Sequence, residues 1–174
     1  MKENTLFKID YWTTPVLDFK NKKIQLQKII KSFPEKRHGI QTFATNRQSN
    51  RSGLKEKFTN ICSEELNMLT QKLKKDIELE DIWSVSYKSG EYHSIHNHGS
   101  TGLTGIIYLE FDETNPATTY IQPWNNIVSD TTLYYNMPAY EGLMVIVPKF
   151  VSHFTKPNKS KKIKRIISFD MKIL

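Results

Sequence analysis

The sequence predicts an α+β protein, with two helices followed by a run of short strands that closes into a helix-backed barrel or sandwich. Three observations carry this. Apolar residues recur every three or four positions as far as about Lys75. Beyond Asp76 they alternate with polar residues or form short unbroken runs. Turn-forming clusters (DETNP, NNIVSD, NKSKK) separate those runs. The 174 residues amount to about one domain, and 38% hydrophobic with 11% aromatic content is ordinary for a globular chain. No repeat, low-complexity linker or composition shift divides it. Residues 1–174 are therefore read as one domain, with 1–80 supplying a strand and supporting helices and 81–174 the β core.

Taken in order, TLFKIDYWTTPVLDF reads as one or two short strands broken at Pro15. NKKIQLQKIIKSF, Asn21 to Phe33, reads as a helix. Asn21 is suited to cap it, Leu26, Ile29, Ile30 and Phe33 share a face, and Pro34 ends it. GIQTFATNRQSNRSG is polar and irregular. A second helix is expected from Leu54 to Lys75, where Leu54, Phe58, Cys62, Leu66, Leu69 and Leu73 form one buried stripe. Strands are expected at Trp83–Tyr87, Gly105–Phe111, Thr118–Pro123, Gly142–Pro148, Phe150–Phe154 and Ile163–Ile173.

Charge and cysteine usage narrow the partners. The net charge is +7, but the lysines are scattered, and the one dense cluster, Asn158 to Arg165, has no aromatic residues interleaved to stack on bases. It reads as a solvated loop entering a strand, so nucleic acid is not a favoured partner. No apolar run approaches the ~20 residues of a membrane span, and Met1 to Trp12 lacks the layout of a secretory signal. Cys62 stands alone, which excludes a disulfide framework and favours a reducing cytoplasm; its place in an apolar stripe makes it a small core residue. No heptads or exposed apolar stripe argue for a particular assembly.

Three of the five histidines fall in HSIHNHG, His93 to Gly99. On an extended segment residues i and i+2 face one side, so His96 and His98 converge, while His93 has the opposite parity and is expected to face outward as a bystander. Two neutral imidazoles at that spacing are half of a metal site. His38 lies in a charged loop and reads as surface. His153, just after the most apolar run of the chain, is either a packed, hydrogen-bonded residue or the third ligand; the neighbouring HxH pair favours the ligand. Three protein ligands leave positions open, as a reactive metal requires, and imidazole suits iron, copper, nickel or zinc alike.

The stretches WSVSYKSGEYHSIHNHG, GLTGIIYLEF, EGLMVIVPKFVSHFTKPN and RIISFD, in that order from Trp83 onward, resemble a known family. It is the 2-oxoglutarate/Fe(II)-dependent oxygenases of the prolyl-hydroxylase-like type, short proteins frequent in bacteriophages and marine bacteria. The resemblance implies a double-stranded β-helix (a jelly-roll, cupin-like barrel) backed by the two helices, with Fe(II) held inside by His96, His98 and His153. The wider superfamily has Asp where this chain has His98, so the ligand set carries no anionic group and the ion keeps its full charge, which dianionic 2-oxoglutarate offsets. The family also places a basic residue of the last strand on the co-substrate's distal carboxylate. Guanidinium geometry favours Arg165, whereas shared parity with Ser168 favours Lys164. Tyr87 and Tyr108 flank the histidines and are placed to offer hydroxyls to the co-substrate.

The activity so implied is hydroxylation of a C–H bond in a peptidyl side chain or metabolite, with release of succinate and CO2. It would take place in the cytoplasm, that of the host where the gene is phage-borne. The loops Gln41 to Gly53 and Trp124 to Tyr140 are candidate lids. Two other classes stand beside this reading: a three-histidine cupin-like metal enzyme that uses no 2-oxoglutarate, and a non-catalytic basic binding module.

Overall fold

The computed structural model describes residues 8–39, 42–47 and 53–174. In chain order the elements are β1 (Trp12–Pro15), α1 (Phe19–Lys31), β2 (Lys36–Arg37), β3 (Ala44–Thr45), α2 (Leu54–Ile61), α3 (Ser63–Leu73) and β4 (Ile77–Tyr87). There follow β5 (His93–His96), β6 (Leu103–Glu110), β7 (Thr118–Ile121), β8 (Tyr134–Asn136), β9 (Leu143–Pro148), β10 (His153–Thr155) and β11 (Lys164–Ile173). Thr5 to Phe7 of the expected opening strand lie outside the described residues, as do Gln41 and positions 48–52 of the first expected lid.

The strands make two antiparallel sheets, β1-β9-β6-β11-β4-β3-β2 and β5-β10-β7-β8. They form the jelly-roll arrangement of a double-stranded β-helix, as two facing sheets rather than a closed barrel. The period of two along each central strand explains why one sheet can serve two cores. Ile82, Ile107, Leu109, Met144, Ile146, Ile167 and Phe169 join the helices' Leu26, Ile30, Leu54, Phe58 and Leu66 in an outer core. The alternate residues Trp83, Val85, Tyr87, Ile106, Tyr108, Val145 and Ile166 pack with Tyr120 of the smaller sheet in an inner one. The unbroken apolar runs of β6 and β9 are the signature of strands buried on both faces.

Three helices, not two, cover the large sheet. The stripe expected from Leu54 to Lys75 is present, but Cys62 (φ −102, ψ 22) divides it into α2 and α3. The Cys62 N–H still reaches the Phe58 carbonyl at 2.9 Å and the Leu66 N–H the Cys62 carbonyl at 3.0 Å, so the hydrophobic stripe passes through the bend unbroken. The first helix begins at Phe19, two residues before the expected cap. Asp18, at φ 47, supplies the first carbonyl, and the Asn21 amide donates back to the Asp18 carboxylate at 2.9 Å. Lys22 ties α1 to α3 through Glu65, at 3.0 Å, and the Glu65 carboxylate also accepts the Leu17 N–H at 2.7 Å.

One glycine is required by packing alone. A Cβ on Gly105 of β6 would lie 2.3 Å from the Phe169 ring, which presses on the strand from β11. Among the described residues no helix is long and apolar enough to cross a membrane.

Candidate metal centre

The smaller sheet brings two of the histidines into register: His153 of β10 is paired directly with His96 of β5. His98 lies two residues beyond the end of β5, where its N–H bonds to the Lys149 carbonyl at 3.0 Å and turns its ring back toward the others. Ring centroids are then 4.5 Å apart for His96 and His153, 5.2 Å for His98 and His153, and 5.4 Å for His96 and His98. One nitrogen from each of the three lies within 4.8 Å of the others. Residues separated by more than fifty positions in the chain therefore meet at one point.

Each ring is oriented by its Nδ1. That atom is 2.8 Å from the Ser94 carbonyl in His96, 3.0 Å from the Val151 carbonyl in His153, and 2.7 Å from Asp170 Oδ1 in His98. An acceptor at Nδ1 places the proton there and leaves Nε2 as the free lone pair. Burial, helped by the neighbouring imidazoles, holds His153 down to about 3, and burial likewise lowers His96. Both rings are thus neutral at physiological pH, the form that binds a cation. The donor set fits a divalent transition metal with open positions.

A cavity of about 280 Å³ opens beside these rings, with Arg47, Trp83, Tyr87, Thr155 and Ser168 in its wall. Behind Thr155 lies Lys164. Parity settles which of the two basic residues of β11 faces inward. Lys164 shares a face with Ile166, Ser168 and Asp170, and is fully buried with Nζ 2.9 Å from the Pro116 carbonyl and 3.3 Å from Thr155 Oγ1. Burial alone pulls it down to about 7, and among the described residues no carboxylate pairs with it. An ammonium has three donors, so one N–H is left without a protein acceptor among the described residues. Arg165 lies on the opposite face, with Nη1 on Glu110 at 2.7 Å and Nε 3.8 Å from Glu35.

Tyr87 and Tyr108 are both buried, and burial raises both phenols, keeping them protonated. Their rings lie 5.1 and 5.6 Å from Lys164 Nζ, and the Tyr108 hydroxyl accepts the Thr118 N–H at 3.1 Å. Ser168 is inward-facing as parity requires, paired with Trp83 and Ile106 across the two neighbouring strands.

His93 is not the outward-facing bystander that strand parity predicts. Its ring stacks on His96 at 3.9 Å and meets Phe43 at a tilt at 4.1 Å, and its Nδ1 is 3.3 Å from the Tyr87 hydroxyl. The strand is only four residues long, and β10 pairs with it irregularly, so simple alternation fails within it. His38 is exposed, as expected, yet stacks on Phe43 at 4.9 Å and extends the row of rings to the cavity's rim. Asp170, the carboxylate on His98, escaped the sequence reading. The available signal was its shared parity with Lys164 and Ser168 on β11.

A second cavity, of about 420 Å³, is walled by Tyr11, Tyr120, Trp124, Tyr135, Met137 and Val151 and has no charged side chain in its lining. It adjoins the histidines through Tyr120, whose ring lies 5.7 Å from that of His153. Trp124, Tyr135 and Met137 come from the second expected lid. The cluster Asn158 to Arg165 is largely the solvated loop expected, with Lys159, Lys161 and Lys162 exposed, but Asn158 is buried and its amide holds the Tyr87 and Lys162 carbonyls at 3.0 Å. Cys62 is a buried member of the outer core.

A family model described as "Putative 2OG-Fe(II) oxygenase" matches residues 81–170, which include His96, His98, His153, Lys164 and Asp170 but not His38, Phe43, Thr45 or Arg47. No curated protein matches by sequence. Among solved structures, the non-heme alpha ketoglutarate dependent epimerase SnoN from nogalamycin biosynthesis superposes with a TM-score of 0.74 at 10% identity, over 94% of this chain and 77% of that one. HygX from Streptomyces hygroscopicus, solved with nickel, 2-oxoglutarate and hygromycin B, gives 0.70 at 8% identity over 94% and 83%. The viral collagen prolyl hydroxylase from Paramecium Bursaria Chlorella virus-1, in its 2OG complex, gives 0.59 at 16% over 94% and 96%. Identities this low establish a shared fold and nothing finer.

Proposed function

The chain belongs to the 2OG-Fe(II) oxygenase family, whose model spans just over half of it, and on that premise we propose that it hydroxylates a C–H bond of a peptidyl side chain or metabolite with His96, His98 and His153 as the metal ligands. When bound, iron and 2-oxoglutarate would supply the oxidising chemistry with dioxygen as the oxidant, one of its oxygen atoms going to succinate as CO2 is lost and the other to the substrate's C–H bond. The protein's own residues have four tasks. The Ser94 and Val151 carbonyls and the Asp170 carboxylate orient the three rings so that Nε2 is the donor from each. Lys164, buried without a counter-ion, takes the far carboxylate of 2-oxoglutarate through its unused N–H, with Ser168 and Tyr87 alongside in the wall. The apolar side chains Val85, Ile106 and Ile166 keep water from the inner end of the cavity. Substrate selection falls to the uncharged wall contributed by Trp124, Tyr135 and Met137.

The observation that carries this reading is the pairing of a three-nitrogen cluster with a fully buried, uncompensated lysine on the same inner face. A metal cation and a dianion would satisfy both at once. Iron analysis of protein purified without oxygen, followed by succinate release from 2-oxoglutarate in the absence of any substrate, tests it. Turnover should require 2-oxoglutarate, and His96→Ala and His153→Ala should each lose both iron and turnover while keeping the fold. Succinate formation that does not depend on Fe(II) and these two histidines overturns the assignment.

A further inference from the structure

We infer that Asp170 is a positioning residue that returns to the metal, through the His98 imidazole, the negative charge the three-histidine set lacks; the inference rests on His98 being a ligand, as proposed above. Of the three rings, two face neutral backbone carbonyls and one faces a buried carboxylate, at 2.7 Å. Asp170 reaches that place by register. On β11 it is opposite Thr104 of β6 and Asp81 of β4, on the inner face. Thr104 Oγ1 is 3.2 Å from the same His98 nitrogen and 3.2 Å from the Phe169 carbonyl, so the hydroxyl closes the arrangement from the neighbouring strand.

The carboxylate is engaged on both oxygens, one on the His98 ring and the other toward a cation. Arg47 Nη2 lies 3.8 Å from the other oxygen, its guanidinium 4.0 Å above the Trp83 ring, and Trp83 in turn stacks on His98 at 5.6 Å and 18°. His98 is thus clamped between an indole and a carboxylate. A carboxylate on the far nitrogen of a ligating imidazole fixes its tautomer and makes the ring a stronger donor. In a low-dielectric interior that charge also acts on the ion itself.

Asp170→Asn separates charge from orientation, since its carbonyl oxygen still accepts the Nδ1–H. Nickel titration of the metal-free full chain should show about tenfold weaker binding for Asp170→Asn and approaching a hundredfold for Asp170→Ala, the range found for such partners. The iron-loaded Asp170→Asn protein should also have a more positive Fe(III)/Fe(II) potential. If His96→Ala and His153→Ala lose nickel but Asp170→Asn binds it like wild type, the role of Asp170 is overturned. If the two histidine variants bind normally, the ligand assignment itself is wrong. Should Asp170→Asn fail to fold, nitrogen NMR of the zinc-loaded wild type decides: a protonated, hydrogen-bonded Nδ1 on His98 is expected, and a zinc-bound Nδ1 overturns the inference.

Discussion

Lys164→Met removes the ammonium and keeps the length of the stem. In the protein without 2-oxoglutarate the lysine is enclosed, and burial lowers it from its ordinary 10.5 to about 7. Between those values the unfolded chain holds a proton that the folded chain has released, so stability rises with pH across this window and is lowest below about 7, where the enclosed group must be charged. At about 1.4 kcal/mol per pH unit the full penalty is roughly 5 kcal/mol. Losing the donor to Pro116 and Thr155 returns part of it, at about 1–3 kcal/mol per orphaned acceptor. Lys164→Met should therefore be at least as stable as wild type at pH 6 in denaturant unfolding, with its relative advantage shrinking by several kcal/mol toward pH 10. Affinity for 2-oxoglutarate should move the other way. Removing one partner of a buried charge pair costs about 2–5 kcal/mol, so calorimetric titration of the nickel-loaded protein should show at least a ~30-fold loss. A variant that is less stable at every pH and still binds 2-oxoglutarate normally would make Lys164 a structural donor and refute the reasoning.

Arg165→Ala should leave 2-oxoglutarate affinity within about twofold and cost up to ~1 kcal/mol for the partly exposed Glu110 pair; a large rise in the co-substrate's KM would return the carboxylate to Arg165. Because free Lys164 is neutral above about 7, binding the dianion there requires proton uptake, so Kd for 2-oxoglutarate should climb by as much as about tenfold per pH unit above that point. A flat profile between pH 7 and 9 contradicts this. Gly105→Ala drives a methyl into the Phe169 ring, itself packed at 5.2 Å on Phe58, and should lower stability by about 1–3 kcal/mol or more; an unchanged Tm would mean the ring has room to move. Burial pushes the Cys62 thiol up to about 12, so a thiol reagent should label it only on unfolding, and native-state labelling at the rate of a free thiol would refute its burial.

What could be read without coordinates was whatever depends on local period. The helical stripe from Leu54 to Leu73 and the doubly apolar strands follow from spacing, and the same period of two puts Lys164 and Ser168 on one face, a deduction that guanidinium chemistry alone would have overruled in favour of Arg165. Parity failed where a strand was too short to enforce it. His93 sits in a four-residue strand with an irregular partner and so turns inward. The bend at Cys62 was invisible because the apolar stripe passes through it without a break.

Asp170 marks a different limit. Its chemistry depends on a hydrogen bond to a residue 72 positions away, and no local pattern encodes that distance. Read in sequence alone, His98 in place of a carboxylate looks like a lost charge. Read in space, a carboxylate stands on β11 behind His98, and the imidazole lies between it and the other two histidines. The exchange has a consequence for the co-substrate. With the negative charge held one ring away, the open positions face a more positive centre than a directly bound carboxylate would leave, which favours a dianionic chelator. Lys164 adds a second attraction for that dianion from the other end of the cavity. Attraction for 2-oxoglutarate would then arise from both ends together, and Lys164→Met should weaken it while the metal end stays in place.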